Sequence, residues 1–298
     1  MRSGLGIGWM AASAALQQSI NAKPPGLNQH EANTLAPRSP HFPARAKAVI
    51  HIFANGGPSH IDTFDPKPKL EEYAGREIPG ALKTERRTGA ALPSPFQFHQ
   101  YGESGLPVSE LFPSVARHAD RLLVVRSMHA DVPNHEPSLL LMNCGDGRLV
   151  RPSAGAWVTY GLGTENQNLP GFVAMCPGGY PISGTAKLRS SFLPGVYQVT
   201  YIDTKKKKGD ELVECIRHPV LGEKVQREQF ELMAALDRKH LQQRKTDAAL
   251  ESRITSMELA WRMQFEAGEA FDVTKEPKHI PERYGDTPHG RQLLIARR

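Results

Sequence analysis

Residues 48–68 contain a short apolar run that ends at two glycines and a proline, with a dense polar cluster directly after it. The run includes Val49 and Phe53, and the break is Gly56-Gly57-Pro58. This order predicts a buried strand over residues 48–54 that delivers polar side chains at its carboxyl end, as in many α/β enzymes. The two glycines permit a sharp turn and a close approach of the backbone to an anion or a metal.

The polar cluster after this break contains His60, Asp62 and Asp65. Imidazole nitrogens and carboxylate oxygens are common metal ligands, so these residues are predicted ligands of a divalent metal such as zinc, calcium or magnesium. The same spacing also fits an ordinary turn in which Asp62 and Asp65 cap nearby backbone amides. The spacing favours neither interpretation over the other.

A second segment of the same kind follows along the chain. Residues 108–119 have the apolar spacing of a helix, with Ser109 as its N-cap, and residues 121–130 predict a second buried strand. A strand, a long connection with a helix and another strand fit a right-handed parallel crossover. The predicted fold class is therefore α/β.

The predicted second strand also ends in polar residues, and a helix is expected to follow them. Pro137 suits the first turn of that helix and Gly145 suits its end. His135 and Ser138 then lie at a helix N-terminus, where backbone N–H groups favour anions. His135 is alternatively a simple cap or the filling of a polar pocket. We favour a site because both predicted strands end in clusters of histidine and aspartate.

The remaining pattern predicts mostly helices. Apolar periodicity and helix-ending signals indicate the following elements: a helix over 153–162, a strand over 169–175, short strands within 190–202, two antiparallel helices within 221–269 separated near Lys245–Thr246, and a helix from Thr287-Pro288.

Charge and hydropathy exclude some classes of protein. The net charge is +6, but the only tight basic run is Lys205–Lys208, and no aromatic residues interleave it. A groove for single-stranded nucleic acid combines basic and stacking side chains, so nucleic acid is not a predicted partner. The apolar stretch from Leu5 to Leu16 is too short for a membrane span. It fits either the apolar part of an export signal or a disordered tail.

The three cysteines are Cys144, Cys176 and Cys215. Their number is odd and no CxxC pattern occurs, so neither a cysteine zinc site nor a disulfide framework is predicted. Free buried thiols are the favoured interpretation. A single bridge from Cys176 to either of the other two stays open.

Several long motifs resemble one bacterial family, domain of unknown function 1501. They are HIFANGGPSHIDTFDPKP, VVRSMHADVPNHEP, WVTYGLGTENQNLPGFV, SSFLPGVYQVT, LESRITSMELAWRMQ, EAFDVTKEP and ERYGDTPHGRQLLIARR. The resemblance covers about residues 4–298. It implies a sulfatase-like protein of the alkaline phosphatase-like superfamily, with a parallel sheet flanked by helices and divalent metals at the strand ends. It also implies export, often through a twin-arginine signal.

The resemblance also sets expectations for the extent of the chain. Family members begin with paired arginines, and they continue into Trp-Asp-Thr-His, Glu-Phe-Gly-Arg-Thr-Pro and Gly-Arg-Asp-His motifs. None of these occurs here, so the chain is expected to be truncated at both ends. Residues 1–45 are then an export-signal remnant and linker, and residues 46–298 are the N-terminal part of an alkaline phosphatase-like domain.

Three functions follow as expectations. The first is metal-dependent hydrolysis of phosphate or sulfate esters on a small molecule or a polysaccharide, in which Asp62, His60 and Asp65 bind metal. Ser138 is the hydroxyl at the usual position of the nucleophile, and His135 accompanies it. The Cys/Ser-x-Pro-x-Arg pattern of sulfatases does not occur. The alternatives are a non-catalytic exported binding protein on the same scaffold and a non-functional fragment.

Overall fold

A computed structural model describes residues 35–80, 89–176, 184, 186–206, 211–214, 216, 218, 220–244 and 247–298. They form a mixed α/β structure that divides into two compact units. Among the described residues, the first unit holds residues 51–139 and the second holds residues 35–50 and 140–298.

The first unit is organised around a small antiparallel hairpin. Helix α1 (Lys69–Glu72) precedes strands β1 (Phe98–Tyr101) and β2 (Leu106–Ser109). The strands pair with Phe98 opposite Ser109 and Tyr101 opposite Leu106. Helix α2 (Pro113–Ala116) follows β2 directly. Helix α3 (His135–Cys144) contains the division between the two units.

The second unit is predominantly helical. Its helices are α4 (Ala154–Leu162), α5 (Glu223–Arg244), α6 (Ala248–Ala270), α7 (His279–Tyr284) and α8 (Pro288–Arg297), and its strands are β3 (Val173–Met175) and β4 (Thr200–Ile202). The two strands pair in parallel, with Val173 opposite Thr200. No described helix is both long enough and apolar enough to cross a membrane.

The main core of the second unit lies between α4, α6 and the 3-10 turn Gly195–Tyr197. Ala156, Tyr197, Leu259 and Ala267 are buried in it. Leu35, which precedes the helices by more than a hundred residues, is also in this cluster and is fully buried. Leu35 lies within residues 1–45, which the sequence predicts to be a signal remnant and linker, and yet it is part of the packed unit.

Two short strands were predicted where the structure has irregular chain. Residues 48–54 and 121–130 have no strand geometry, and Val49, Ile52 and Leu123 are 74%, 63% and 89% exposed. A strand needs a neighbour to satisfy its backbone N–H and C=O groups. Within the described chain, no segment pairs with either run, so the predictions of buried strands are wrong for this structure.

The predicted helix over 108–119 is also wrong in its extent. Ser109 belongs to β2, and its amide donates to the carbonyl oxygen of Thr63 at 3.0 Å. The helix begins only at Pro113, which occupies the first turn. Proline has no N–H and obstructs the preceding turn, so it starts this helix and cannot sit inside a longer one.

The longer helices agree with the sequence. Helix α4 begins after Ser153, and α8 begins after Thr287, whose hydroxyl accepts from the amide of Gly290 at 3.0 Å. Helices α5 and α6 run antiparallel, because Phe230 stacks on Trp261 while Asp237 lies beside Ile254. Both the helix pair and its direction are therefore confirmed.

Candidate functional site

The predicted metal ligands lie in one tight turn over residues 59–65. The carbonyl oxygen of His60 accepts from the amides of Thr63, Phe64 and Asp65, at 3.3, 3.2 and 3.0 Å. The Thr63 hydroxyl donates to the carbonyl oxygen of Ser59 at 2.9 Å. Local hydrogen bonds therefore hold the backbone that carries His60, Asp62 and Asp65 in a single short loop.

The two glycines before this turn are required by its backbone. Gly56 and Gly57 have φ values of +108° and +70°, in the region that residues with a Cβ rarely adopt. They redirect the chain between the exposed apolar run and the polar turn. The sequence prediction of a sharp turn at Gly56-Gly57-Pro58 is confirmed.

Asp65 is the buried acid of the turn. Its side chain is 9% exposed, and its carboxylate oxygens lie 2.7 Å from Lys67 Nζ and 3.8 Å from Arg126 Nε. Two basic groups thus share the carboxylate. This arrangement anchors the turn to the segment that carries Arg126, and a metal ion at Asp65 would have to compete with both cations.

Asp62 is held differently, by hydroxyl groups. Hydrogen bonds from Ser94 and then Ser59 lower the pKa of Asp62, and the neighbouring His60 contributes in the same direction. The carboxylate is partly open to solvent. Since hydrogen bonds to the charged form favour ionisation, Asp62 presents a negative charge at neutral pH.

His135 and Ser138 lie in the first turn of α3, where the sequence placed them. The Ser138 hydroxyl donates to the carbonyl oxygen of Val132 at 2.6 Å, and the Ser138 amide donates to the carbonyl oxygen of Asn134 at 3.0 Å. The hydroxyl proton is thus directed at a local backbone carbonyl. Within the described chain, no hydrogen bond joins the side chains of His135 and Ser138.

The arrangement does not fit a complete metal centre. Among the residues that the structure describes, no group of three or more His, Cys, Asp and Glu side chains could hold a metal ion. A zinc site needs three or four protein ligands in fixed geometry. His60 and Asp62 together offer two neighbouring groups of the right chemistry, and Asp65 is occupied by Lys67 and Arg126.

Three residues that shape this site were not singled out from the sequence. Ser94, Lys67 and Arg126 contact the two aspartates. Lys67 follows Asp65 by two residues, so local charge pairing could have indicated it. Ser94 and Arg126 are distant in sequence, and no local pattern marks them as partners of the turn.

The cysteines of the second unit are free thiols where the structure describes them. Cys144 is buried and donates to the carbonyl oxygen of Lys187 at 3.1 Å, and Cys176 is half-buried. Burial raises the pKa of Cys144 to about 11. Cys215 lies outside the described residues. The preferred prediction of free buried thiols agrees with Cys144.

Residues 46–298 match the model of a family described as protein of unknown function, DUF1501. The chain belongs to the DUF1501 family. No curated protein matches the chain. No solved structure matches it either. Membership in DUF1501 is thus shown, and it brings no assigned activity.

Proposed function

We propose that this DUF1501 chain belongs to an exported sulfatase-like protein that hydrolyses phosphate or sulfate esters. The proposed scaffold is the parallel sheet of the alkaline phosphatase-like superfamily. The observation that carries the proposal is the ionised Asp62, next to His60 in a turn held by hydrogen bonds. The likeness of the motifs around residues 51–68 and 124–137 to the family supports the scaffold.

The proposal assigns specific work to the described residues. Asp62 contributes one anionic oxygen ligand, and His60 contributes a neighbouring imidazole. A divalent metal, when bound, stabilises negative charge on the reacting ester oxygens. The described residues do not form a complete centre, so we derive no catalytic step through the metal.

The ion pairs of Asp65 have a supporting role in this proposal. Lys67 and Arg126 neutralise the buried carboxylate, so the turn keeps its shape without a metal. Asp62 is then presented in one position before a cation arrives. Binding groups that are held in place before the ligand arrives lose less entropy on binding.

The decisive experiment substitutes Asp62→Asn, which removes the charge and keeps the side-chain shape. Zinc, calcium and magnesium are each titrated alone by calorimetry, and hydrolysis of aryl phosphate and aryl sulfate is followed with and without metal. With two ligands, His60 and Asp62, the native chain is expected to bind metal weakly, and Asp62→Asn is expected to lose that binding. Asp286→Asn, at a fully exposed acid in the second unit, is the matched control and is expected to bind as the native chain does. Equal metal affinity in Asp62→Asn and the native chain would contradict the proposal.

A second candidate is a non-catalytic binding protein on the same scaffold. The observation that favours it is the Ser138 hydroxyl, whose proton is directed to the Val132 carbonyl and not to a general base. Saturable binding of a sulfated or phosphorylated polysaccharide, with no turnover of either aryl ester at any metal, would favour this candidate over the hydrolase.

A further inference from the structure

Helix α5 has one face that is already used within the second unit. The Phe230 ring stacks on the Trp261 ring of α6, with centroids 5.4 Å apart and an interplanar angle of 13°. Ala234, one turn further along, is 9% exposed. This face supplies the contact between α5 and α6.

The opposite face of α5 carries an exposed apolar stripe. Val225, Leu232 and Leu236 are 42%, 62% and 58% exposed. At 3.6 residues per turn these positions lie within about 40° of one another, on the side of the helix away from Ala234. Leu232 and Leu236 are neighbours one turn apart, and Val225 lies about 10 Å from Leu232 along the helix axis. Large exposed apolar side chains on one face of a charged helix are typical of a surface that binds another protein.

The charges beside this stripe are unevenly distributed along the helix. Glu228 lies toward the N-terminal end, and Lys239 lies toward the C-terminal end, and both are exposed. Helical periodicity places both on the same edge of the stripe, within about 20° of each other. One edge of the stripe is therefore acidic near one end and basic near the other.

When two copies of the helix pack together, the opposite charges on this edge face each other only if the helices run antiparallel. In an antiparallel pair, the same edge of each helix meets across the contact, so Glu228 of one copy faces Lys239 of the other. In a parallel pair, this edge lies on opposite sides of the contact in the two copies, so Glu228 and Lys239 do not meet each other across it. Leu232 and Leu236 follow the same symmetry, since they are equally far from residue 234, whereas Val225 has no apolar counterpart across the pair.

We propose that α5 mediates an isologous dimer, in which it pairs antiparallel with α5 of a second copy of this chain. The two-fold axis passes near residue 234. Leu232 of each copy packs on Leu236 of the other, and Glu228 of each copy pairs with Lys239 of the other. Such a pairing uses one patch twice and closes on itself, as two-fold interfaces do. It is independent of the proposed ester hydrolysis.

A single helix pair is a small interface, so the dimer is expected to be weak and to depend on protein concentration. Sedimentation equilibrium of the 298-residue chain over a wide concentration range measures it directly. We expect reversible dimerisation of the native chain. A chain that stays monomeric at every concentration would overturn the proposal, as would association that continues beyond the dimer.

Charge exchange tests the antiparallel geometry. Glu228→Lys and Lys239→Glu each place like charges together at two symmetric positions, so each is expected to raise the dimer dissociation constant by roughly tenfold. The double variant restores opposite charges and is expected to return the constant to near the native value. If dimerisation is not recovered in the double variant, the antiparallel arrangement is wrong. Recovery would show that each single variant had lost the charge pairing and not the fold of the helix.

Leu232→Glu tests the apolar stripe. It places a carboxylate against Leu236 of the second copy, and it is expected to abolish the dimer while the helical circular dichroism stays unchanged, since Leu232 is exposed. Leu123→Glu makes the same change at another exposed leucine and is expected to leave the dimer intact. Retained dimerisation in Leu232→Glu would overturn the proposal.

Discussion

Shortening the Leu35 side chain to alanine is expected to destabilise the second unit strongly, although Leu35 precedes the helices by more than a hundred residues. Its side chain is fully buried in the cluster that contains Ala156, Leu259 and Ala267. Leu35→Ala removes three buried carbon groups, which at about 0.8 kcal/mol each amounts to about 2.4 kcal/mol. A residual cavity adds to this loss, so we expect a decrease of about 3 kcal/mol in the free energy of unfolding.

Backbone hydrogen bonds hold the segment around Leu35 in place, so the cavity left by Leu35→Ala is expected to persist. The Leu35 carbonyl oxygen accepts from the Thr164 amide at 2.9 Å and from Gln167 Nε2 at 3.0 Å, and the Arg38 amide donates to the Leu162 carbonyl oxygen at 2.9 Å. These bonds do not involve the Leu35 side chain, so they hold the segment in place after truncation. The surrounding core then relaxes little, and the cavity persists.

Urea unfolding followed by tryptophan fluorescence is the assay, because Trp157 packs against the same cluster. Leu123→Ala is the control, since Leu123 is 89% exposed and its truncation is expected to change stability by less than about 0.5 kcal/mol. A loss below about 1 kcal/mol in Leu35→Ala would refute the reasoning, because it would place Leu35 outside the cooperative core.

Two further predictions concern backbone strain and thiol chemistry. Gly163 has φ +72°, and a Cβ there would lie 2.1 Å from the Ala36 carbonyl oxygen, so Gly163→Ala is expected to lower the unfolding free energy by at least about 1–3 kcal/mol. Gly161→Ala, in α4 with open space around it, is the matched control and is expected to be neutral or stabilising; equal unfolding midpoints would contradict the strain argument. Burial raises the pKa of Cys144 to about 11, so its alkylation rate, followed by peptide mass spectrometry, is expected to rise only near that pH. The raised pKa of Cys144 also stabilises the folded state. This stabilisation is complete below the ordinary thiol pKa and is lost as the pH rises toward about 11. An alkylation midpoint at the ordinary thiol pKa would contradict the burial effect.

The helices of this protein were predictable because their determinants are local. Thr287 followed by proline indicated the start of α8, and the long periodic segment within 221–269 indicated α5 and α6. Each helix satisfies its backbone within itself, through bonds between residues four apart. A local pattern of caps, breakers and apolar spacing therefore contains most of the information that these helices need.

The candidate site was predictable in part. The sequence identified the turn that carries His60, Asp62 and Asp65, because glycines and a polar cluster mark it directly. The sequence did not distinguish the two aspartates from each other. Only the structure pairs Asp65 with Arg126 and brings the Ser94 hydroxyl to Asp62, since both partners arrive from distant parts of the chain.

The sequence by itself determined the family, the long helices and the polar turn. The tertiary structure decided whether the apolar runs at 48–54 and 122–125 become strands, and it decided the burial of Leu35. The physical reason is the same in each case. A strand needs backbone groups elsewhere in the chain to pair with, and a core residue needs distant side chains to pack against. No local pattern specifies those partners.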